Sequence, residues 1–217
     1  VRVTPGSDVW DVFNNTSRIG VRGEEDLGGG LSAIYQMEYG VDMTEGGNFS
    51  GSRARPKLVG LKGASWGSLT VGSQWTPYYN AIGLGDVFNS SKMFDKYTYL
   101  GDAYGLRMDN SVVYTTPDWS GFSAQAMLVV NGTASDPLNK LPNFSDDLDM
   151  WNIAATYKNG PFFVGASYIG VNNGNDLLDR VGEDYGDLDL WGIAFGYNTA
   201  PFGITLHYEN GDLNQLY

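Results

Sequence analysis

The chain has 217 residues, with 13 Lys and Arg against 25 Asp and Glu, which gives a formal net charge of -12 at neutral pH. This acidic balance disfavours nucleic-acid binding, because phosphate contacts require a basic surface. There is no cysteine, and His207 is the one histidine, which excludes disulfides and thiolate chemistry and disfavours histidine-based metal or catalytic clusters. The 30 glycines and the aromatic content of 14% are a mixture typical of β structure.

Apolar and polar residues alternate with a period of two along a series of segments, which predicts β-strands. The clearest of these segments, in chain order, are residues 17–24, 31–42, 122–130, 151–158, 162–168, 191–197 and 202–209. About ten strands can be counted in this way, plus a fragment at residues 1–3. Residues 190–208 lack charged side chains but contain Asn198, Thr199 and Pro201 at their centre. They therefore predict two strands and a turn rather than a membrane helix.

Short and long connections alternate along the chain. Short turns are predicted at residues 25–30, 65–68, 117–121, 159–161 and 198–201. Long polar loops are predicted at residues 44–52, 76–110, 131–149 and 171–187. Short turns are thus expected at one end of an antiparallel sheet and long loops at the other.

One face of the predicted strands is apolar and carries aromatic residues near the strand ends. These are Tyr39, Trp75, Tyr114, Phe122, Trp151, Tyr157, Phe162, Tyr168, Trp191, Tyr197, Phe202 and Tyr208. Such end placement is typical of the aromatic girdles of membrane barrels. The opposite face is polar, charged or glycine, which is costly in a dry core but suits a water-filled lumen. We therefore predict an all-β, transmembrane antiparallel β-barrel rather than a soluble sandwich.

Several segments resemble the general porins of Gram-negative outer membranes, especially those of Neisseria, Bordetella and Burkholderia. The resembling segments are SRIGVRGEEDLGGGL at 17–31, LVGL at 58–61, GSLTVGSQ at 67–74, RMDNSVVY at 107–114 and PDWSGF at 117–122. The resemblance implies a 16-stranded barrel in the bacterial outer membrane, a homotrimer in contact with lipid and lipopolysaccharide. It also implies a third loop folded into the lumen as a constriction, passive diffusion of small hydrophilic solutes and ions, no cofactor and no enzyme activity.

Residues 1–217 are interpreted as a single, incomplete barrel domain. Members of the family are considerably longer, and a barrel of this type must close with an even number of strands. We therefore expect the sequence to be a partial chain.

The 35-residue segment 76–110 is far longer than a hairpin connection needs. Its aromatic residues make it too apolar for disorder, so it is expected to pack inside the molecule. They are Tyr78, Tyr79, Phe88, Phe94, Tyr97, Tyr99 and Tyr104. By the resemblance it is the constriction loop, and its acids Asp86, Asp95 and Asp102 are expected to line one side of the pore.

A basic wall is expected opposite these acids, because a transverse field across a narrow pore sorts ions. Side chains alternate between the two faces of a strand. This alternation predicts that the side chains of Arg18 and Arg22 point into the pore from one strand. It predicts the same for Arg53, Arg55 and Lys57 on another strand. By the resemblance, Arg55 and Arg107 stand at basic positions of the family, whereas Val113 replaces a frequent further basic residue. The candidate basic wall therefore comprises Arg18, Arg22, Arg55 and Arg107.

Other interpretations of the sequence remain open. Tyr97, Tyr99 and Tyr104 allow a substrate-selective, sugar-type porin, and the alternating strands allow a soluble lectin-like or adhesin sandwich. Glu24 and Glu38 are a conceivable glycosidase pair, but their inward parity explains them without catalysis. The net charge favours cations and the arginine wall favours anions, so the sign of selectivity stays open.

Two acidic clusters fall in the long loops. They are Asp146, Asp147 and Asp149, and Asp187 and Asp189. Loosely bound Ca²⁺ is conceivable at these external loops, but the spacing of a calcium loop is lacking, so solvated external charge is the favoured interpretation.

Overall fold

The structure is a computed structural model that describes residues 2–3, 10–11, 14, 17–44, 55–86, 107–130, 148–172, 188–199 and 201–211. Twelve strands, one α-helix and one 3₁₀ turn lie within these residues. The two-residue strands β1 (Arg2–Val3) and β2 (Trp10–Asp11) pair only with each other. Neither helical segment of the described chain is long and apolar enough to cross a membrane.

Ten longer strands form a single antiparallel sheet in which each strand pairs with its neighbours in sequence. They are β3 (Arg18–Gly28), β4 (Leu31–Gly40), β5 (Lys57–Gly63), β6 (Gly67–Trp75), β7 (Arg107–Thr115), β8 (Phe122–Val129), β9 (Met150–Asn159), β10 (Phe162–Val171), β11 (Leu188–Thr199) and β12 (Phe202–Gly211). This order confirms the predicted all-β antiparallel architecture. As described, the sheet is open, with β3 and β12 at its edges.

The short connections all join the strands at one end of the sheet, and the long connections join them at the other, as predicted. The turn between β3 and β4 contains Gly28, Gly29 and Gly30, which all have positive φ. Glycine adopts this left-handed region without the steric cost that a Cβ imposes. The two ends of the sheet therefore differ in their connections, which are short turns at one end and long segments at the other.

One face of the sheet, here called the apolar face, exposes large apolar side chains. Examples are Val21 on β3 at 62%, Ile193 on β11 at 44% and Leu206 on β12 at 65% exposure. The predicted aromatic residues Tyr39, Tyr114, Phe122, Tyr157, Phe162, Trp191, Phe202 and Tyr208 are also among the exposed large side chains. A water-soluble monomer rarely exposes so extensive an apolar surface.

The opposite face, here called the polar face, carries residues such as Glu24, Glu38, Lys62, Gln125 and Thr156. It also holds the main buried cluster of the described chain. The cluster consists of Tyr78, Ile82, Met108, Val113, Met127, Val129, Met150, Ile169, Val171, Leu190 and Ala194. The chain therefore buries its core where the segment after β6 returns to the polar face.

The register of β9 against β10 can be tested with cysteine pairs, because the chain has no native cysteine. Ala155 lies directly opposite Ala166, a separation that permits a disulfide. We expect Ala155→Cys with Ala166→Cys to cross-link under mild oxidation, measured by mass spectrometry of proteolytic peptides. The control pair Ala155→Cys with Val164→Cys is offset by two residues and is expected to cross-link much less. Preferential cross-linking of the offset pair would mean that the register is shifted.

Candidate functional site

The segment that follows β6 folds onto the polar face. Thr76 caps helix α1 (Pro77–Ile82), its Oγ1 accepting a hydrogen bond from the Tyr79 N–H at 3.0 Å, and Pro77 occupies the first helical position. Both features favour helix initiation at this point. Helix α1 then packs on β9, β10 and β11, and the following 3₁₀ turn, Gly83–Gly85, packs on β11 and β12. The expectation that the long connection packs inside the molecule is confirmed for residues 76–86.

Asn152 holds the start of α1 against the sheet. Its fully buried side chain accepts a hydrogen bond from the Tyr78 backbone N–H at 2.7 Å. Its amide nitrogen donates to Ser167 Oγ and to the Tyr168 carbonyl, both at 2.8 Å. Since an unsatisfied buried polar group is costly, this network favours one position of the helix on β9 and β10.

Two glycines on the polar face allow the helix to approach the sheet closely. A Cβ built at Gly165 on β10 would overlap the carbonyl oxygen of Ala81, and one at Gly192 on β11 would lie 2.7 Å from the Tyr78 hydroxyl oxygen. The alternation along the predicted strands allows glycine on this face but does not predict a role for it. Gly165 leaves room for the backbone of α1, and Gly192 leaves room for the Tyr78 side chain.

Apolar side chains on the polar face complete the contact, which was not predicted from the sequence. Met127, Met150, Ile169 and Leu190 are all nearly or fully buried in the same cluster as Ile82 of α1. They stand near the long-connection ends of their strands, where an apolar residue breaks the inward polar pattern. This break in the alternation was the sequence signal for the contact. Apolar side chains on an otherwise polar face stabilise the protein when another segment buries them.

Two further hydrogen bonds join residues 76–86 to the sheet. Asn80 Nδ2 donates to Gln125 Oε1 on β8 at 2.9 Å, and Thr205 Oγ1 on β12 donates to the Gly85 carbonyl oxygen at 3.1 Å. Residues 76–86 therefore cross the polar face from β8 to β12.

Arg107 contacts the aromatic ring that precedes α1. Its guanidinium carbon lies 4.3 Å from the centroid of the Trp75 ring, and the Trp75 and Tyr79 rings stack with centroids 4.0 Å apart. This is a cation–π arrangement. Trp75 therefore contacts both α1 and Arg107, with which it is paired at the two strand ends that flank the long connection.

The basic side chains Arg18 and Arg55 flank Glu38. The Arg18 Nε lies 3.8 Å and the Arg55 NH1 nitrogen 3.4 Å from the Glu38 carboxylate. The Arg18 side chain is 56% exposed, whereas that of Arg55 is 7% exposed. Arg22, on the same face of β3, is exposed and forms no ion pair within the described residues. Arg18 and Arg22 are therefore the accessible cations of this group.

The inward placement of Lys57 is wrong. Its ammonium nitrogen lies 5.0 Å from the centroid of the Tyr39 ring, on the apolar face. Arg55 and Pro56 precede the first residue of β5, so strand alternation does not link Arg55 to Lys57. Arg53 lies outside the described residues.

Asp86 follows the 3₁₀ turn over β11 and β12, near the opposite edge of the sheet from Arg18 and Arg22 on β3. Its backbone N–H donates to the Gly83 carbonyl at 3.1 Å. Asp95 and Asp102 lie outside the described residues. A wall of acids opposite the arginines stays a prediction, for which only Asp86 has a described position.

Two further pairs of titratable side chains lie on the polar face. Glu24 binds Lys62 at 2.9 Å, and Nε2 of His207 lies 3.7 Å from Oε1 of Glu209. Within the described residues no group of three acids or histidines is arranged to hold a metal ion. Asp146, Asp147 and Asp187 of the acidic clusters lie outside those residues, so loosely bound Ca²⁺ and the favoured solvated external charge both stay hypotheses there. Solvated charge is wrong for Asp149, which is buried at 1% exposure.

A family profile described as Gram-negative porin matches residues 4–215. Among curated proteins, an outer membrane porin protein of Bordetella pertussis is 32% identical over 171 residues, covering 75% of this chain and 44% of the relative. Major outer membrane protein P.IB of Neisseria gonorrhoeae is 29% identical over 183 residues, covering 84% and 46%. The chain thus spans about half the length of the curated relatives it matches.

Two solved structures have the same fold. The anion-selective porin from Comamonas acidovorans superposes with a TM-score of 0.70 at 22% identity, covering 90% of this chain and 57% of that one. OmpF of Salmonella typhi in complex with daunomycin gives a TM-score of 0.68 at 22% identity, covering 89% and 57%.

The close approach at Gly165 can be tested by hydrogen exchange. Gly165→Ala would push a methyl group into the Ala81 carbonyl, and overpacking of this kind costs about 1–3 kcal/mol. We expect the amides of α1 to exchange at least about fivefold faster, measured by mass spectrometry. Gly85→Ala is the matched control, since its Cβ would meet only ordinary contacts at 3.5 Å and 3.8 Å. Unchanged exchange in Gly165→Ala would contradict the packing described.

Proposed function

The chain belongs to the Gram-negative porin family, and from that premise we propose that the protein forms a water-filled channel in the bacterial outer membrane. The channel admits small hydrophilic solutes and ions by passive diffusion. We propose that it is a homotrimer in contact with outer-membrane lipid and lipopolysaccharide, without a catalytic role or a required cofactor. The observation that carries the proposal is the packing of α1 onto the polar face, because it narrows the space that this face encloses.

The two faces of the sheet support the same proposal. Exposed side chains such as Val21, Ile193 and Leu206 suit contact with lipid, whereas the polar face carries paired and unpaired charges that suit water. A soluble sandwich is disfavoured, because the ten long strands form one sheet rather than two packed sheets. The sugar-type alternative relies on Tyr97, Tyr99 and Tyr104, which lie outside the described residues, so no observation favours it.

We propose that selectivity comes from the field between the exposed arginines of β3 and the acids of the connection after β6. Arg18 and Arg22 are accessible, and Arg55 is buried against Glu38. Asp86 lies over the strands near the opposite edge. In a narrow pore such fixed charges sort ions more effectively than distant loop charges, which salt screens over about 10 Å.

Reversal potentials in planar bilayers test this arrangement. A unit charge about 10 Å from a permeating ion in water contributes about 0.4 kcal/mol, with opposite sign for K⁺ and Cl⁻, which is roughly a fourfold change in their ratio. We expect Arg18→Gln combined with Arg22→Gln to shift the K⁺/Cl⁻ permeability ratio roughly sixteenfold towards K⁺ at low salt. Asp86→Asn is expected to shift it towards Cl⁻.

Lys57→Gln is the matched control, because it removes one positive charge from the apolar face and is expected to leave the ratio unchanged. An equal shift in Lys57→Gln and in the arginine variant would contradict a local role for β3. Failure of the detergent-purified, full-length protein to form channels at all would overturn the proposed function itself.

A further inference from the structure

A cavity of about 350 Å³ opens on the polar face, between α1 and the short-turn end of the sheet. Its lining includes Asn80, Asp118, Ser123, Gln125, Thr156 and Lys158. Pockets of a few hundred Å³ that carry a few converging polar groups are typical of small-molecule sites. The volume is about ten times the share of one water molecule in the liquid, so the cavity has room for a small organic solute.

The register of β8 and β9 builds the wall of this cavity. Ser123 lies opposite Thr156, and Gln125 lies opposite Ala154. The Lys158 backbone N–H donates to the Gly121 carbonyl at 2.9 Å, which fixes the strand end against the turn before β8. Since side chains directly opposite each other share one face, the polar groups of both strands converge on the same space.

Asn80 and Gln125 fix the side of the cavity next to α1. The Asn80 amide nitrogen donates to Gln125 Oε1 at 2.9 Å, and the Gln125 amide nitrogen donates to Thr115 Oγ1 at 3.0 Å. These bonds connect the cavity directly to the helix that narrows the polar face. A solute in the cavity would therefore sit next to that helix on its short-turn side.

Asp118 and Lys158 bring opposite charges to the cavity without pairing. Within the described residues, neither side chain takes part in an ion pair. One carboxylate oxygen of Asp118 accepts the Gly121 N–H at 2.8 Å, which orients the group. The hydroxyls of Ser123 and Thr156 line the same cavity and make no hydrogen bond within the described residues. The cavity therefore offers a separated cation and anion with free hydroxyls.

We propose that this cavity is a binding site for small zwitterionic solutes of the amino-acid class. The solute carboxylate lies at the Lys158 ammonium, the solute ammonium lies at the Asp118 carboxylate, and the hydroxyls of Ser123 and Thr156 complete the contacts. Charge-assisted hydrogen bonds of this kind are the stronger ones in proteins. The inference deepens the proposed function, since it requires that the polar face be reached by solutes.

Ligand-observed NMR titration of the detergent-purified, full-length protein tests the site with alanine as the probe. N-acetylalanine lacks the ammonium and alaninamide lacks the carboxylate, so each loses one of the two charge contacts. We expect alanine to bind at least about tenfold more tightly than either analogue and than uncharged ribose. Equal binding of alanine, both analogues and ribose would overturn the proposal.

Substitutions of the two charged cavity residues test whether alanine binds in the cavity. Lys158→Met and Asp118→Asn are each expected to weaken alanine binding about tenfold, and Asn at 118 retains the acceptor for the Gly121 N–H. Asp118→Asn is further expected to reduce the preference for alanine over N-acetylalanine. Lys62→Met is the matched control, because it removes the same charge from the polar face of β5 and is expected to leave alanine binding unchanged.

Different results count against the alanine site and against the proposed channel. Unaltered alanine binding in both cavity variants would overturn the site, and so would an equal loss in Lys62→Met. The unmodified protein is also measured in planar bilayers. Normal conductance together with no preference for alanine over its analogues in the NMR titration refutes the site alone, whereas no conductance refutes the proposed function.

Discussion

The strict separation of apolar and polar side chains onto the two faces of one sheet is the constraint on which the rest of the structure depends. Residues such as Val21, Ile193 and Leu206 are exposed on one face, and no second sheet covers them within the described chain. The hydrophobic effect makes such a surface unfavourable in water and favourable against lipid. The polar face must then meet water, which is why charges such as Arg22 and Lys158 are tolerated there.

The polar face is itself divided along the strands. Towards the long connections it carries buried apolar side chains, among them Met150 and Ile169, and α1 packs on them. Towards the short turns it carries Ser123, Thr156 and Lys158 and stays open. Asn152 lies at the boundary, where its buried amide binds the Tyr78 backbone and the neighbouring strand. One helix thus both fills part of the enclosed space and borders the cavity that remains.

Periodicity predicted the strands well, because side chains on a pleated sheet alternate whatever the tertiary contacts are. It failed at Lys57, because residues 55 and 56 precede the strand and parity does not extend across them. The packing of the segment after β6 was expected from its aromatic content and from the family resemblance. The partners of that segment were not predicted, because Asn152, Gly165 and Met150 acquire their roles only when β9 and β10 lie beneath α1.

The most direct test of the two-faced sheet is cysteine accessibility in native outer membranes, for which the cysteine-free chain is well suited. Single cysteines at Ser123 and Thr156 on the polar face, and at Ala124 and Ala155 on the apolar face, are treated with a membrane-impermeant thiol reagent small enough to pass a pore. If the polar face meets water and the apolar face meets lipid, labelling is rapid at positions 123 and 156 and slight at positions 124 and 155. Equal labelling on both faces, or preferential labelling at 124 and 155, would contradict this arrangement.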